Sequence, residues 1–161
     1  MSHREDALIE QRTGQGRFGE WSPARLYLAV NGVWHLVLAV GGFLADQTFP
    51  TSIAAAQSGH SGHVFGIFET NGWHTLGAAI IGVVATYTAI YPKWAKEVAF
   101  GIGAFHVPFT LALLFWEPHN FLIASNDADQ IVHASSAILG LAAAFATPSR
   151  AHRRSPDPVT P

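Results

Sequence analysis

Histidine is the residue type whose placement in this sequence could do chemistry. One histidine lies in each of four long apolar segments, at His35, His74, His106 and His133. An imidazole inside a membrane can hydrogen-bond to backbone, bind a proton near neutral pH, or ligate a metal or haem iron. The elements that carry these four side chains decide which of those roles they can play.

Four stretches of the chain contain no Asp, Glu, Lys or Arg: residues 26–45, 70–92, 98–116 and 130–149. Each is close to the ~20 residues that an α-helix needs to cross ~30 Å of hydrocarbon. None offers the polar face that a helix of a soluble bundle requires. The sequence therefore predicts an all-α integral membrane four-helix bundle, with helices at about 25–45, 70–92, 97–116 and 130–148 within a domain of residues 24–147.

The segments outside the helices predict the topology. Residues 1–23 form a polar tail without the apolar core of a secretory signal, residues 46–69 a loop rich in Ser, Ala and Gly, and residues 149–161 a basic Pro-rich tail. The short link between the second and third helices predicts a tight antiparallel hairpin. Basic residues fall on one side only: Arg25, Lys93, Lys96, Arg150, Arg153 and Arg154. The positive-inside tendency then predicts a multi-pass protein of the plasma (inner) membrane with both termini cytoplasmic.

The two halves of the domain resemble each other. Asn31-Gly32-Val33-Trp34-His35 of the first helix corresponds to Ile102-Gly103-Ala104-Phe105-His106 of the third, with glycine three residues before the histidine. The second and fourth helices each carry an acid and an amide just before their histidine. This pattern predicts two parallel helical-hairpin repeats, related by a pseudo-two-fold axis along the membrane normal.

Helical rise turns sequence position into depth. At ~1.5 Å per residue, His35 and His106 lie about 12 to 14 Å from the cytoplasmic edge, near the midplane. His74 and His133 lie only about 5 to 6 Å below the outer edge. The predicted result is a midplane tier and an outer tier of paired imidazoles on diagonal helices.

Three interpretations of these tiers stay open. The histidines could hold the helices in register, as in a small structural or accessory membrane subunit, or bind a small ligand. A second interpretation is bis-histidine ligation of haem b in an electron-transfer protein, with His35 and His106 as the first ligands to test. The third is a proton or metal-ion relay fed from the outer carboxylates Glu69, Asp127 and Asp129.

The outer loops contain a separate candidate metal site, because the side chains of His60, His63 and His119 can ligate Zn²⁺ or Cu²⁺. The sequence contains no cysteine and none of the phosphate-loop, nucleotide or nucleophile motifs, so it does not predict a conventional enzyme. Its net charge of −2 gives no basic surface for nucleic acid. The predicted partners are the lipid bilayer and, through small-residue stripes, a homo-oligomer or a larger membrane complex.

Three stretches carry a resemblance to a known family. Ala24-Arg25-Leu26-Tyr27, Asn71-Gly72-Trp73-His74-Thr75-Leu76-Gly77 and Asp129-Gln130-Ile131-Val132-His133 resemble domain-of-unknown-function family 4383, small four-helix membrane proteins frequent in actinobacteria. The resemblance covers about residues 24 to 147 and implies a fold and a membrane location, without an activity or a cofactor. It does not extend to histidines in the first and third helices, so the midplane pair is an individual feature of this sequence.

Overall fold

The computed structural model describes residues 21–58, 61–115 and 122–148, and this part of the chain is mostly helical. Its elements, in chain order, are α1 (Pro23–Ala45), α2 (Ile53–Ser58), β1 (Gly62–Val64), β2 (Phe68–Thr70), α3 (Gly72–Ile90), a 3-10 turn (Pro92–Trp94), α4 (Ala95–Phe115) and α5 (Asp127–Ala146). Helices α1, α3 and α5 are long and apolar enough to cross a membrane. Helix α4 occupies the position of the third predicted helix.

Polar side chains determine where α1 and α3 begin. The Ser22 hydroxyl accepts a hydrogen bond from the backbone N–H of Arg25 at 3.3 Å, and Pro23 takes the first helical position, where its missing N–H costs nothing. Asn71 caps α3 by accepting from the N–H of His74 at 3.1 Å. Helix α3 therefore starts at Gly72, two residues later than predicted, because Thr70 belongs to β2.

Helix α5 begins with a capping box. The Asn126 side chain accepts from the N–H groups of Ala128 and Asp129, while the Asp129 carboxylate accepts from the N–H of Asn126 at 3.0 Å. The helix consequently starts at Asp127, three residues before the predicted start at residue 130. The two acids lie in the first turn, where the helix dipole favours negative charge, rather than in a loop.

The connection between α1 and α3 corrects the prediction of an all-α protein with a plain loop at residues 46–69. It contains α2 and a two-stranded antiparallel sheet in which His63 lies opposite Glu69. Phe65 and Gly66 take positive φ values of 56° and 71°, which reverse the chain between the strands. Strands of three residues are too short to show the alternation that identifies a strand in sequence.

Packing is most extensive between α1 and α3 and between α4 and α5. Glycines allow both close approaches: a Cβ added at Gly32 would meet the Thr86 backbone nitrogen of α3 at 2.7 Å, and one added at Gly103 would meet the Leu141 backbone nitrogen of α5 at 2.7 Å. The predicted hairpin between the second and third helices has a short link, but α3 and α4 pack less extensively along each other. The principal contacts lie within each predicted repeat instead.

Hydrogen bonds join the helices at the end where α1 starts and α5 finishes. The Arg25 Nε donates to the Ala89 carbonyl of α3 at 2.9 Å, and the backbone N–H of Ala24 donates to the Thr147 hydroxyl at 2.9 Å. Lys96 Nζ at the start of α4 donates to the Thr147 carbonyl at 2.8 Å. All four long helices are therefore tied together at this end.

Candidate functional site

The four histidines of the apolar helices lie together in the structure. The ring centroids of His35 and His106 are 5.9 Å apart, and those of His74 and His133 are 5.7 Å apart. The two pairs also meet, since the His106 and His133 centroids are only 5.4 Å apart. The structure thus brings together the residues of both predicted tiers in one histidine cluster, in the order His35, His106, His133, His74.

Hydrogen bonds assign the tautomer of the two midplane histidines. His35 Nδ1 lies 2.8 Å from the Asn31 carbonyl oxygen, and His106 Nδ1 lies 2.8 Å from the Ile102 carbonyl oxygen. Since a carbonyl only accepts, Nδ1 carries the proton in each ring, and Nε2 keeps an unshared electron pair. Both bonds stay within the helix that holds the histidine. They orient the rings but do not link one helix to another.

His74 and His133 differ in whether their ring nitrogens have hydrogen-bond partners. His74 Nδ1 donates to the carbonyl oxygens of Glu69 at 3.0 Å and Ala124 at 2.8 Å, which ties β2 to the segment before α5. His133 is 8% exposed, and neither of its ring nitrogens has a hydrogen-bond partner among the described residues. A buried polar group without a partner costs about 1 to 3 kcal/mol, so His133 is the member of the cluster that lacks a structural explanation.

A cavity of about 70 Å³ lies between the rings. This volume has room for more than one water molecule, since a cavity needs about 10 to 15 Å³ to hold one. The cavity is lined by the four histidines, by the Asp129 carboxylate and otherwise by mostly apolar side chains, which include Trp73 and Phe109. The Phe109 ring stands against His133 at a centroid distance of 4.7 Å.

Haem does not fit this site. Pockets for ligands of drug or cofactor size measure about 300 to 1,000 Å³, several times the volume available here. The rings of His35 and His106 meet edge to face, with centroids 5.9 Å apart and ring planes at 68°. A bis-histidine haem therefore finds no support in the packing of the cluster.

Of the three carboxylates predicted to feed the histidines, only Asp129 borders the cavity. Asp129 is 2% exposed, and its Oδ2 accepts from the backbone N–H of Glu69 at 3.1 Å as well as from that of Asn126. The Glu69 side chain instead accepts a hydrogen bond from the Ser61 hydroxyl, and Asp127 is exposed. Asn126, which positions Asp129, was not among the predicted site residues. The amide and acid of its capping box, three residues apart, are the sequence signal that could have found it.

The second predicted metal site is not assembled in the described part of the chain. His63 lies in β1 and is exposed, while His60 and His119 fall outside the described residues. Among the described residues, no group of three or more His, Asp or Glu side chains is arranged to hold a metal ion. The metal site at His60, His63 and His119 stays a prediction.

Comparison with known proteins gives one match. A family model described as Domain of unknown function (DUF4383) matches residues 25–146. The matched region runs from the first turn of α1 to the end of α5, so it includes the whole histidine cluster. No curated protein and no solved structure matches the chain significantly.

Proposed function

Because the chain belongs to the DUF4383 family, whose function is unknown, we propose its role from the cluster itself: a four-helix plasma-membrane protein that takes up protons into its buried histidines. The observation that carries the proposal is the unbroken contact of four imidazoles around one cavity of about 70 Å³. The bundle consists of two parallel hairpin repeats, and both termini face the cytoplasm.

The sequence and packing of α4 support a fourth membrane-spanning helix. From Val98 to its last residue, Phe115, this helix carries no charged residue, a length of ~27 Å at 1.5 Å per residue. Its Gly103 contacts α5 just as Gly32 of α1 contacts α3. The two glycines hold equivalent places in the sequence repeat, so their equivalent contacts support a duplicated hairpin.

The distribution of charge supports the orientation. Arg25, Lys93 and Lys96 lie at the end of the bundle where α1 and α4 begin. The opposite end holds β1, β2 and the start of α5, with the acids Asp46, Glu69, Asp127 and Asp129. By the positive-inside tendency the basic end is cytoplasmic, so the acidic end with Asp129 faces the outer surface.

The hydrogen bonds favour proton binding over a purely structural role. A histidine that holds helices together must bond across helices, yet the Nδ1 bonds of His35 and His106 are intrahelical. His74 alone makes the bridging contacts that a structural role requires. The Nε2 atoms of His35 and His106 and the ring nitrogens of His133 are neighbouring acceptors between which a proton can be shared. The Asp129 carboxylate at the same cavity offsets the added charge.

The test is a pH titration of ¹⁵N-histidine signals by solid-state NMR, with the whole protein in lipid bilayers. At high pH we expect His35, His74 and His106 to give the signals of the Nδ1–H tautomer. On acidification, the signals of His106 and His133 should change together, because one proton is shared between contacting rings.

The matched control is His63→Gln, which removes an exposed histidine outside the cluster and should leave the coupled titration intact. His133→Gln should separate His74 from His35 and His106, since His133 joins the two pairs. If all four imidazoles stay neutral over the whole pH range in which the protein is folded, the cluster does not bind protons and its role is structural.

A further inference from the structure

The backbone of Glu69 in β2 is held from two sides by titratable side chains of different helices. Its N–H donates to Asp129 Oδ2 of α5 at 3.1 Å, and its carbonyl oxygen accepts from His74 Nδ1 of α3 at 3.0 Å. Both side chains also line the histidine cavity. The β-hairpin of β1 and β2 is therefore fastened to α3 and α5 by groups whose charge can change.

The two attachments respond differently to a proton. An imidazole that donates through Nδ1 keeps that N–H when it becomes an imidazolium, so the bond from His74 to the Glu69 carbonyl survives acidification. Asp129 Oδ2 instead acts as an acceptor, for the backbone N–H of Asn126 at 3.0 Å as well as for that of Glu69. Hydrogen bonds to an ionised group are about twice as strong as those between neutral groups. Protonation of Asp129 therefore weakens the attachment of β2 to α5.

The other contacts of the hairpin limit how far it can move. The Asn126 amide donates to the Ile67 carbonyl at 2.7 Å, and this bond does not depend on pH. The Glu69 carboxylate accepts from the Ser61 hydroxyl and so acts within the connection between α1 and α3. Held by His74 and Asn126, the hairpin loosens at β2 without leaving the bundle.

Charged and titratable groups of several elements surround Asp129. Asp129 itself is 2% exposed. In the described part of the chain, the groups that face it or share its cavity are Glu69 of β2, His74 of α3, His35 of α1, His106 of α4, and Asp127 and His133 of α5. Of these groups and Asp129, only the Asp129 side chain accepts a hydrogen bond from the backbone of β2.

We propose that Asp129 is a proton-sensitive latch: its carboxylate holds β2 against α5, and its protonation loosens the hairpin at the end of the bundle where α5 begins. Because Asp129 also lines the cavity, the same proton removes a negative charge from beside the histidines. The latch goes beyond the proposed function, since it requires no proton uptake by the histidines.

The test is solid-state NMR of the whole protein in lipid bilayers over a pH series. The Asp129 carboxyl ¹³C signal reports protonation of the side chain, and the Glu69 amide ¹H signal reports the hydrogen bond that it donates. On acidification both signals should change with the same midpoint, the amide proton moving upfield as its bond weakens. Protection of the Glu69 amide against hydrogen exchange should fall about tenfold over the same interval.

Three variants identify the group responsible. Asp129→Asn is neutral at every pH, so its Glu69 amide should show the low protection of the acid form throughout. Asp127→Asn changes an exposed acid in the same helical turn and should keep the wild-type response. Glu69→Gln removes the carboxyl group of β2 but keeps its backbone, and should also keep that response.

Three results would overturn the latch. One is a Glu69 amide signal that stays constant while Asp129 becomes protonated, and another is an Asp129 carboxyl that stays ionised wherever the protein is folded. Neither needs a variant, so both remain decisive if Asp129→Asn does not fold. The third is a wild-type pH response in folded Asp129→Asn. Histidines that stay neutral while the Glu69 amide follows Asp129 would refute proton uptake by the cluster and support the latch.

Discussion

Gly103 shows how strongly a single residue determines the packing of this protein. A Cβ at this position would lie 2.7 Å from the Leu141 nitrogen and 3.0 Å from the Gly140 carbonyl carbon, both backbone atoms of α5. Backbone atoms cannot rotate away as a flexible side chain does. Any larger residue at Gly103 must therefore push α4 and α5 apart.

We expect Gly103→Ala to lower the free energy of unfolding by ~1 to 3 kcal/mol, the usual cost of overpacking. Gly101→Ala is the matched control on the same helix, because a Cβ at Gly101 meets nothing within 4 Å. That control should be neutral or more stable by up to ~1 kcal/mol through helix propensity. Thermal unfolding of both variants in detergent measures the difference; equal midpoints would contradict the close contact.

Replacing His133 or His74 by leucine should change the stability of the protein in opposite directions. His133→Leu removes a buried imidazole whose nitrogens have no hydrogen-bond partner in the described part of the chain, so we expect the protein to gain ~1 to 2 kcal/mol of stability while losing coupled proton binding. His74→Leu removes the donor to two carbonyls and should lose a similar amount. Unfolding in denaturant compares the two variants, and a loss of stability in His133→Leu would reveal a partner for that ring.

At the scale of elements, the N-terminal cap of α5 connects this helix to the β-hairpin of β1 and β2 and to the histidine cluster. Asn126 caps the helix, and its Nδ2 donates to the Ile67 carbonyl in the turn of the hairpin at 2.7 Å. Asp129, held by the same cap, receives the Glu69 N–H of β2. The first turn of α5 therefore holds the β-sheet over the end of the histidine cluster.

We expect Asn126→Ala to cost ~1 to 2 kcal/mol and to speed hydrogen exchange in β2 and in the first turn of α5. Ser22→Ala removes the α1 cap, a single longer bond of 3.3 Å, and should cost less and leave exchange in β2 unchanged. Hydrogen exchange followed by mass spectrometry locates the effect. Equal protection of β2 in wild type and Asn126→Ala would show that the hairpin is held independently of the cap.

At the scale of the whole molecule, the proposed topology places the two ends of the bundle in different compartments. The sequence contains no cysteine, so single cysteines can be introduced into an unlabelled background. Thr51 and Lys93 are both exposed and lie at opposite ends, before α2 and in the 3-10 turn.

An impermeant maleimide added to intact cells should label Thr51→Cys at once and Lys93→Cys only after the membrane is permeabilised. The reason is that the proposed topology places the basic end of the bundle in the cytoplasm. Labelling of both cysteines before permeabilisation would indicate leaky cells, which a cytoplasmic marker protein controls. The reverse pattern would invert the topology and place the acidic end of the bundle inside.

Sequence by itself determined the features that depend on local composition and spacing. Charge-free segments near membrane length predicted helices at the positions of α1, α3, α4 and α5, and three of these helices are long and apolar enough to span a membrane. The family resemblance was confirmed over residues 25–146. These features are readable in sequence because helical length, hydropathy and capping depend on residues close together in the chain.

Only the tertiary structure decided how the histidines meet and what surrounds them. Spacing predicted two tiers, but the contact of His106 with His133 depends on how α4 and α5 cross, which no local pattern encodes. The hydrogen bond from the Ser136 hydroxyl to Asn31 Oδ1 joins α5 to α1 across residues that lie far apart in sequence. The β-sheet was missed because its strands are too short to show periodicity and are held by contacts with α1 and α5. Contacts between distant segments form only when the chain packs, so they belong to the fold rather than to any single stretch of residues.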